Sequence, residues 1–167
     1  IYTARYTLSL HDALPILRKV AADNQTQLQV SAFKYSPVGM TGVQTLSFEL
    51  AEDMERVDNV FVPSGGGGLT LAVARGFQTW KQKHPNFSLP KVHCVQPEGN
   101  DTIAGNLRKG LEEAKAVENA TTKVSGLQVA VVIDGNETLQ ACKRTAGNGF
   151  LVSDQDTFEC QRLLAIK

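Results

Sequence analysis

"DNVFVPSGGGGLTLAVARGF", residues 58–77, sets four consecutive glycines, Gly65, Gly66, Gly67 and Gly68, between a short β-branched and aromatic run and a helix-like segment. Packing alone does not ask for four glycines in a row, because each one adds conformational entropy to the unfolded chain. The run marks a place where the backbone takes positive φ or lies so close to another group that no side chain is tolerated. A loop leaving the C-terminal end of a parallel strand and entering a helix is where α/β sheets place ligands. Its N–H groups and the positive end of the helix dipole favour an anion, most often a phosphate.

The residues after the glycines narrow the choice of phosphate. A nucleoside triphosphate loop needs GxxxxGK[ST], and Leu69-Thr70 stands where a lysine and a hydroxyl would follow. A dinucleotide loop needs GxGxxG, and the sixth position is Thr70 counted from Gly65 or Leu71 counted from Gly66. Both ligands are disfavoured. A single phosphate on a compact cofactor suits the loop better.

Composition sets the wider frame. The chain has 17 basic and 17 acidic side chains, so it has no net charge with which to grip nucleic acid or an anionic membrane surface. A hydrophobic content of 42% suits a globular domain, and no apolar run approaches the roughly 20 residues of a membrane span. Cys94, Cys142 and Cys160 are far apart, odd in number and outside any CxxC spacing, which argues against a disulfide framework and against a zinc site. No metal site is expected, and the thiols read as small residues in a reducing cytoplasm.

Residues 1–16, "IYTARYTLSLHDALPI", differ in style from the remainder of the chain and lack an initiator methionine. Thr7–Ile16 resembles the translation of a common sequencing-library adapter. This segment is expected to be a translated artefact, so His11 and Asp12 are kept out of any active site. Residues 17–167 are then expected to be part of a longer chain. "DTFECQRLLAIK" stops inside a helical pattern with no cap or breaker.

From Leu17 onward helical and strand-like segments alternate, the pattern of an α/β protein with a largely parallel sheet. Thr41 and Gln44 predict a capping-box start for a helix carrying Val43, Leu46, Leu50, Met54 and Val57 and ending near Asp58. Asn59–Pro63 is apolar without alternation, as in a strand buried on both faces. Leu69–Lys83 predicts a helix with Leu69, Val73, Phe77 and Trp80 on its buried stripe and lysines near its end. Lys91–Gln96 predicts a second buried strand, followed by a helix carrying Ile103, Leu107, Leu111 and Ala114. Leu127–Ile133 is an apolar run that periodicity alone does not assign. Asp134 with Glu137 predicts an acid-capped helix to about Arg144. Phe150–Val152 predicts a strand, and Ser153 with Asp156 opens the last helix.

"VFVPSGGGGLTLAVARGF", then "KVHCVQPEG" and downstream "VSDQDTFECQRLLAIK" resemble the large domain of the fold-type II pyridoxal-phosphate enzymes, the tryptophan synthase β-like superfamily. Within it the nearest likeness is to threonine synthase and its relatives. The resemblance covers most of residues 37–167 and is carried mainly by the strand-P-S-GGGG-L-helix element and the V-Q-P-E-G strand end. It implies a mostly parallel sheet with helices on both faces, with residues 17–167 forming a partial large (C-terminal) domain. It implies pyridoxal 5'-phosphate as cofactor, with its phosphate held by the backbone amides of Gly65, Gly66, Gly67, Gly68 and Leu69.

The activity so implied is a lyase acting on a small amino acid by β- or γ-elimination or replacement, in a parent protein expected to be a homo-oligomer. Serine or threonine dehydratase, diaminopropionate ammonia-lyase and cysteine synthase are alternatives, as is a non-catalytic pyridoxal-phosphate-binding regulatory protein. The family's chemistry needs a lysine that links covalently to the cofactor and removes the substrate Cα proton. In the family it lies in an S-x-K-D-R-like segment far N-terminal to the glycine loop. Lys34 in "SAFKYSP" is followed by tyrosine and lies too near the loop, so it reads as a surface lysine. No catalytic residue is assigned to this chain, and the partner of the pyridine nitrogen is expected beyond its last helix.

Several residues carry a plainer reading beside a functional one. Ser64 either donates its hydroxyl to the phosphate or supports the turn. Glu98 stands at a strand end where ligands gather, but reads first as a turn residue stabilising the next helix. His93 reads as a packed core histidine, His84 as a helix-end residue, and Phe77 and Trp80 as core. Gly76 costs its helix about 1 kcal/mol relative to alanine, which close helix–sheet packing would explain. Ser125, Gly126 and Leu127 either border the substrate, as the resemblance implies, or begin a buried strand, the preferred reading.

Overall fold

A computed structural model describes residues 10–166. The described part begins with α1 (Leu10–Asp23), α2 (Pro37–Gly42) and α3 (Thr45–Asp53). The first strand-to-helix unit is β1 (Asn59–Pro63) and α4 (Gly68–Lys83). Next come β2 (Lys91–Pro97), a single 3-10 turn at Glu98–Asn100 and α5 (Ala104–Arg108). A second 3-10 turn at Ser125–Leu127 precedes α6 (Gly135–Arg144), β3 (Gly149–Val152) and α7 (Asp154–Ile166). Of the adapter-like segment, residues 1–9 lie outside the described residues, as do the side chains of His11 and Asp12; Leu10–Ile16 belongs to α1.

The three strands form one parallel sheet in the order β1-β2-β3, with Val62 opposite Cys94 and Gln96 opposite Leu151. All three strands therefore end at the same edge, and each chain segment leaving that edge enters a helix or helical turn. The expected α/β class with a parallel sheet and flanking helices is what forms.

Alternation along the strands fixes the two faces. Val62 and Val92 pack with Leu71, Val73 and Phe77 of α4 and Ala141 of α6. Cys94 packs with Ile103, Ala104 and Leu107 around α5 and with Leu139 and Cys142 of α6. Full burial of Leu71 and Phe77 contributes about 1.5–3 kcal/mol each relative to exposure. The opposite face carries Phe61, His93 and Phe150, with the Phe61 and His93 rings stacked at 4.6 Å. Phe61 is 57% exposed, so β1, an edge strand here, is not buried on both faces. Its unbroken apolar run reflects this aromatic cluster as well as the core.

Several boundaries differ from expectation. The helix expected from Thr41 starts earlier, at Pro37, whose fixed φ suits a first turn. It breaks between Gly42 and Thr45, where Val43, Gln44, Leu46 and Ser47 donate to carbonyls three residues back. Thr41 and Gln44 make no capping box, because the Thr41 hydroxyl donates instead to Val38 O. Met54 is extended and ends α3 before Val57. Gly76 is explained by helix–helix rather than helix–sheet packing, since a Cβ there would stand 2.6 Å from Gln44 O and 2.7 Å from Ser47 Oγ.

The helix expected through Leu111 and Ala114 stops at Arg108. Gly110, at φ +73°, donates to Leu107 O and Leu111 donates to Asn106 O, the paired bonds of a Schellman stop. Leu127–Ile133 forms no strand; after the 3-10 turn it runs irregularly to α6. Ser153 and Asp156 do form the expected capping pair. Asp134 sits at the N-cap of α6, but its carboxylate makes no capping bond there. Among the described residues no helix is long and apolar enough to cross a membrane.

Candidate functional site

The sheet edge at which β1 ends carries a cavity of about 200 Å³ lined by Pro63 to Leu69, Ser31, Ala32, Gly126, Val129, Ile133 and Asp134. The glycine loop forms its floor. Gly67 adopts φ +96°, the left-handed region that a side chain makes costly, and occupies the N-cap position of α4. A Cβ on Gly67 would stand 2.4 Å from Thr138 Oγ1 and 3.0 Å from Ile103 Cδ1, so this position has neither the conformation nor the room for one. At Gly65 a Cβ would meet Val129 at 3.0 Å. The 125–129 segment thus packs directly on the loop.

The loop is held from behind through oxygens, leaving its N–H groups unused. The Gln96 amide donates to Gly65 O and to Thr102 Oγ1, both at 3.0 Å, and its own oxygen accepts the amides of Ile103 and Ala104. Thr138 Oγ1 lies 2.9 Å from Gly67 O and 2.8 Å from Asp134 O, its single proton serving one carbonyl at a time. Ser64 Oγ is bonded to Thr70 Oγ1 and lies 3.2 Å from Val62 O. Its amide donates to Val95 O. Among the described residues the amides of Gly65 to Thr70 donate to no backbone or side-chain acceptor, and the first intrahelical bond is Leu71 N to Gly67 O.

Behind Ser64 lies Cys94, whose thiol burial pushes up to about 11, against the opposing pull of its hydrogen bond with Ser64. Cys142 is pushed up to about 12, again chiefly by burial. Both thiols therefore stay protonated and act as packing groups. No group of metal-ligating side chains occurs among the described residues.

A row of unpaired amides, the N-terminus of a 16-residue helix and a small cavity in front of them can receive one compact anionic group. Leu69, expected on the buried stripe of α4, is 37% exposed and lines the cavity. Ser64 is buried and its hydroxyl is engaged with Thr70, which favours the turn-supporting member of its two readings. The preferred strand reading of Ser125–Leu127 gives way to a loop that brings Gly126 and Val129 to the cavity wall. The sequence does not single out Gln96, Thr138 and Asp134 as site residues, because each reaches the loop only through folding; Thr70, beside the loop in sequence, reads there only as excluding other phosphate loops.

Residues with competing readings settle by contact. His93 Nδ1 accepts the Asn148 amide, which places the proton on Nε2, facing Asn59 Oδ1 at 3.0 Å. Burial, with Lys91 nearby, holds this imidazole below its usual range. It is a satisfied structural histidine. Glu98 is exposed, and the bond that starts α5 comes from Asp101, which accepts the Gly105 amide at 2.6 Å. Lys34 is exposed, with its ammonium 5.8 Å from the Tyr35 ring centre. His84 ends α4 and stacks on Trp80, which is only partly buried.

Comparison with known proteins gives this site a family. Threonine synthase of Methanosarcina acetivorans is 26% identical over 92% of this chain, an alignment spanning 38% of that protein. L-threonine ammonia-lyase of Thermotoga maritima is 31% identical over 72% of this chain and 27% of its own length. The structure of the processed form of threonine deaminase isoform 2 from Solanum lycopersicum superposes with a TM-score of 0.67, at 24% identity, over 89% of this chain and 38% of that one. This chain thus spans well under half the length of each. The family model described as "Pyridoxal-phosphate dependent enzyme" matches residues 2–167. With nearly its whole length matched, and with relatives and fold in agreement, the chain belongs to the pyridoxal-phosphate dependent enzyme family.

Proposed function

We propose that the amides of Gly65, Gly66, Gly67, Gly68 and Leu69 bind the phosphate of pyridoxal 5'-phosphate. We further propose that the full-length protein is a threonine synthase-like lyase of amino-acid metabolism, acting by β- or γ-elimination or replacement on a small amino acid. The observation that carries the phosphate assignment is the run of amides from Gly65 to Thr70 that have no acceptor among the described residues, in a loop whose residues Gly65 to Leu69 line a cavity at the start of α4. The residues present fit the phosphate end of the cofactor. The glycines give access, the helix terminus supplies positive potential, and the left-handed Gly67 keeps a side chain out of the way. Relatives named as threonine synthases and a threonine ammonia-lyase support the lyase assignment.

When bound, the cofactor supplies an electron sink for negative charge developing at the substrate Cα. This chain's own residues hold and orient. Gln96 and Thr138 fix the loop carbonyls, Ser64 and Thr70 join the two ends of the loop, and Gly126 and Val129 close one side of the cavity against water. The lysine that handles the proton comes, in this reading, from the part of the parent polypeptide that precedes residue 17. The parent works as a cytoplasmic homo-oligomer.

The full-length protein loaded with pyridoxal phosphate and offered phosphohomoserine, threonine, serine and diaminopropionate tests this reading. Turnover of one of them, with the visible absorption band of a lysine-linked cofactor, is the expected result. Binding without that band would instead identify a non-catalytic binding protein. Residues 1–167 alone are expected to turn over none of the four.

A further inference from the structure

Asp134 is 3% exposed, lines the cavity and stands at the N-cap of α6. A carboxylate at that position normally accepts an amide of its own helix. Here it does not. Its Oδ2 accepts the Phe33 amide at 2.8 Å and its Oδ1 accepts the Lys34 amide at 3.1 Å, partners 101 and 100 residues away in the chain. The same Oδ2 lies 3.1 Å from the point a Cβ on Gly68 would occupy, and Ser31 O lies 3.5 Å from that point. Its backbone oxygen lies within reach of the Thr138 hydroxyl that also reaches Gly67 O.

One residue at the start of α6 is therefore bonded to segment 31–34 and stands beside the start of α4 with its glycines. The arrangement is costly for mere packing. A buried carboxylate beside a cavity suited to an anion repels that anion, and the two N–H donors and the N-terminus of α6 offset this in part. What it secures is the distance between segment 31–34 and Gly68.

The geometry points to Asp134 as a positioning residue for the cofactor phosphate: by binding the Phe33 and Lys34 amides it holds the neighbouring Ser31 and Ala32 as the second wall of the glycine cradle, so that the bound phosphate is shielded from water. This rests on the phosphate reading of the glycine loop given above. Asp134 does not itself contact the phosphate; it acts through the wall it fixes.

The test uses the full-length protein carrying D134A or D134N, with two readouts. The first is amide hydrogen exchange at Phe33 and Lys34. The second is release of pyridoxal phosphate on dilution, compared with binding of unphosphorylated pyridoxal. D134A should raise exchange at those two amides and speed cofactor release by roughly tenfold or more, since both acceptors are lost. D134N, which keeps one acceptor, should show a smaller effect on both readouts. Pyridoxal binding should be unchanged in either variant. Faster exchange at Phe33 and Lys34 with unaltered release would overturn the proposal and leave a purely structural tie. Equal weakening of pyridoxal and pyridoxal phosphate would also overturn it. If D134A loosens the whole sheet, D134N decides, with normal release from a locally loosened D134N protein counting against the inference. Gly67→Val separates the two layers. Its failure to alter phosphate-dependent binding sinks the cradle itself, whereas its success beside inert Asp134 variants sinks only the positioning role.

Discussion

At the end of β3 the chain enters α7 through Ser153, whose hydroxyl oxygen accepts the Asp156 amide at 3.0 Å while its proton goes to the Asp156 carboxylate at 2.7 Å. At the end of β1 it enters α4 through four glycines that bring no side chain at all. Both junctions lie on the same edge of the parallel sheet, and both face the electrostatic problem of a helix start. The first meets it with its own side chains. The second leaves its amides open and spends side chains from elsewhere, Gln96 and Thr138, on holding the loop's carbonyls. The exit from β2 resembles the first case, with Gln96 Oε1 and Asp101 accepting the amides of Ile103, Ala104 and Gly105. The difference separates a helix start that is finished within the chain from one whose amides find no acceptor among the described residues.

The largest effect that would break this contrast is Gly67→Val in the full-length protein. A branched side chain at φ +96°, 2.4 Å from Thr138 Oγ1, costs on the order of 3 kcal/mol or more unless the loop moves. Pyridoxal phosphate affinity should fall about a hundredfold by equilibrium dialysis; unchanged affinity removes the loop from the phosphate site. Gln96→Glu should come next. A carboxylate still accepts from Ile103 and Ala104 but cannot donate to Gly65 O, so two acceptors face each other at about 3 Å, a loss of roughly 1–3 kcal/mol. Urea unfolding and cofactor release should both register it. If only stability falls, Gln96 supports the sheet edge and not the loop.

Ser153→Ala probes the finished junction. It should cost about 1 kcal/mol of stability and leave cofactor affinity unchanged. Coupled changes in both would mean that the two junctions are not independent. The smallest effect expected is from acid. The Thr122 hydroxyl, with the Lys123 amide, holds the Asp154 carboxyl below its usual range. A depressed acid stabilises the fold above its unfolded value and loses that contribution as pH falls through the folded one. Protection of the Lys123 amide from exchange, relative to its intrinsic rate at each pH, should therefore persist near neutrality and be lost only below the ordinary carboxylate range, and Asp154→Asn should remove this dependence.

Legibility in the sequence tracked the range of the interactions. β1, α4, β2, β3 and the Ser153–Asp156 pair follow from neighbours within a few residues, and the glycine run announced itself through the residue type it excludes. The α2–α3 break was hidden because Pro37 and three-residue-back bonds override the apparent capping pair Thr41 and Gln44. The short α5 was hidden because Gly110 stops the helix inside an otherwise continuous apolar pattern. Leu127–Ile133 looked strand-like because its apolar residues serve as a wall for the loop and not as a sheet.

By itself, the sequence determined that the backbone at residues 65–68 is cleared of side chains at the start of a helix, and it argued against nucleoside triphosphate and dinucleotide loops, since glycine content and the residues next to it are local facts. Only the tertiary structure decided how that loop is held, because Gln96 and Thr138 act across 31 and 71 residues of chain. No local pattern records such contacts. They exist because folding brings the ends of parallel strands to one edge, where a buried polar group must find its partner or lose the hydrogen bonds it had in water.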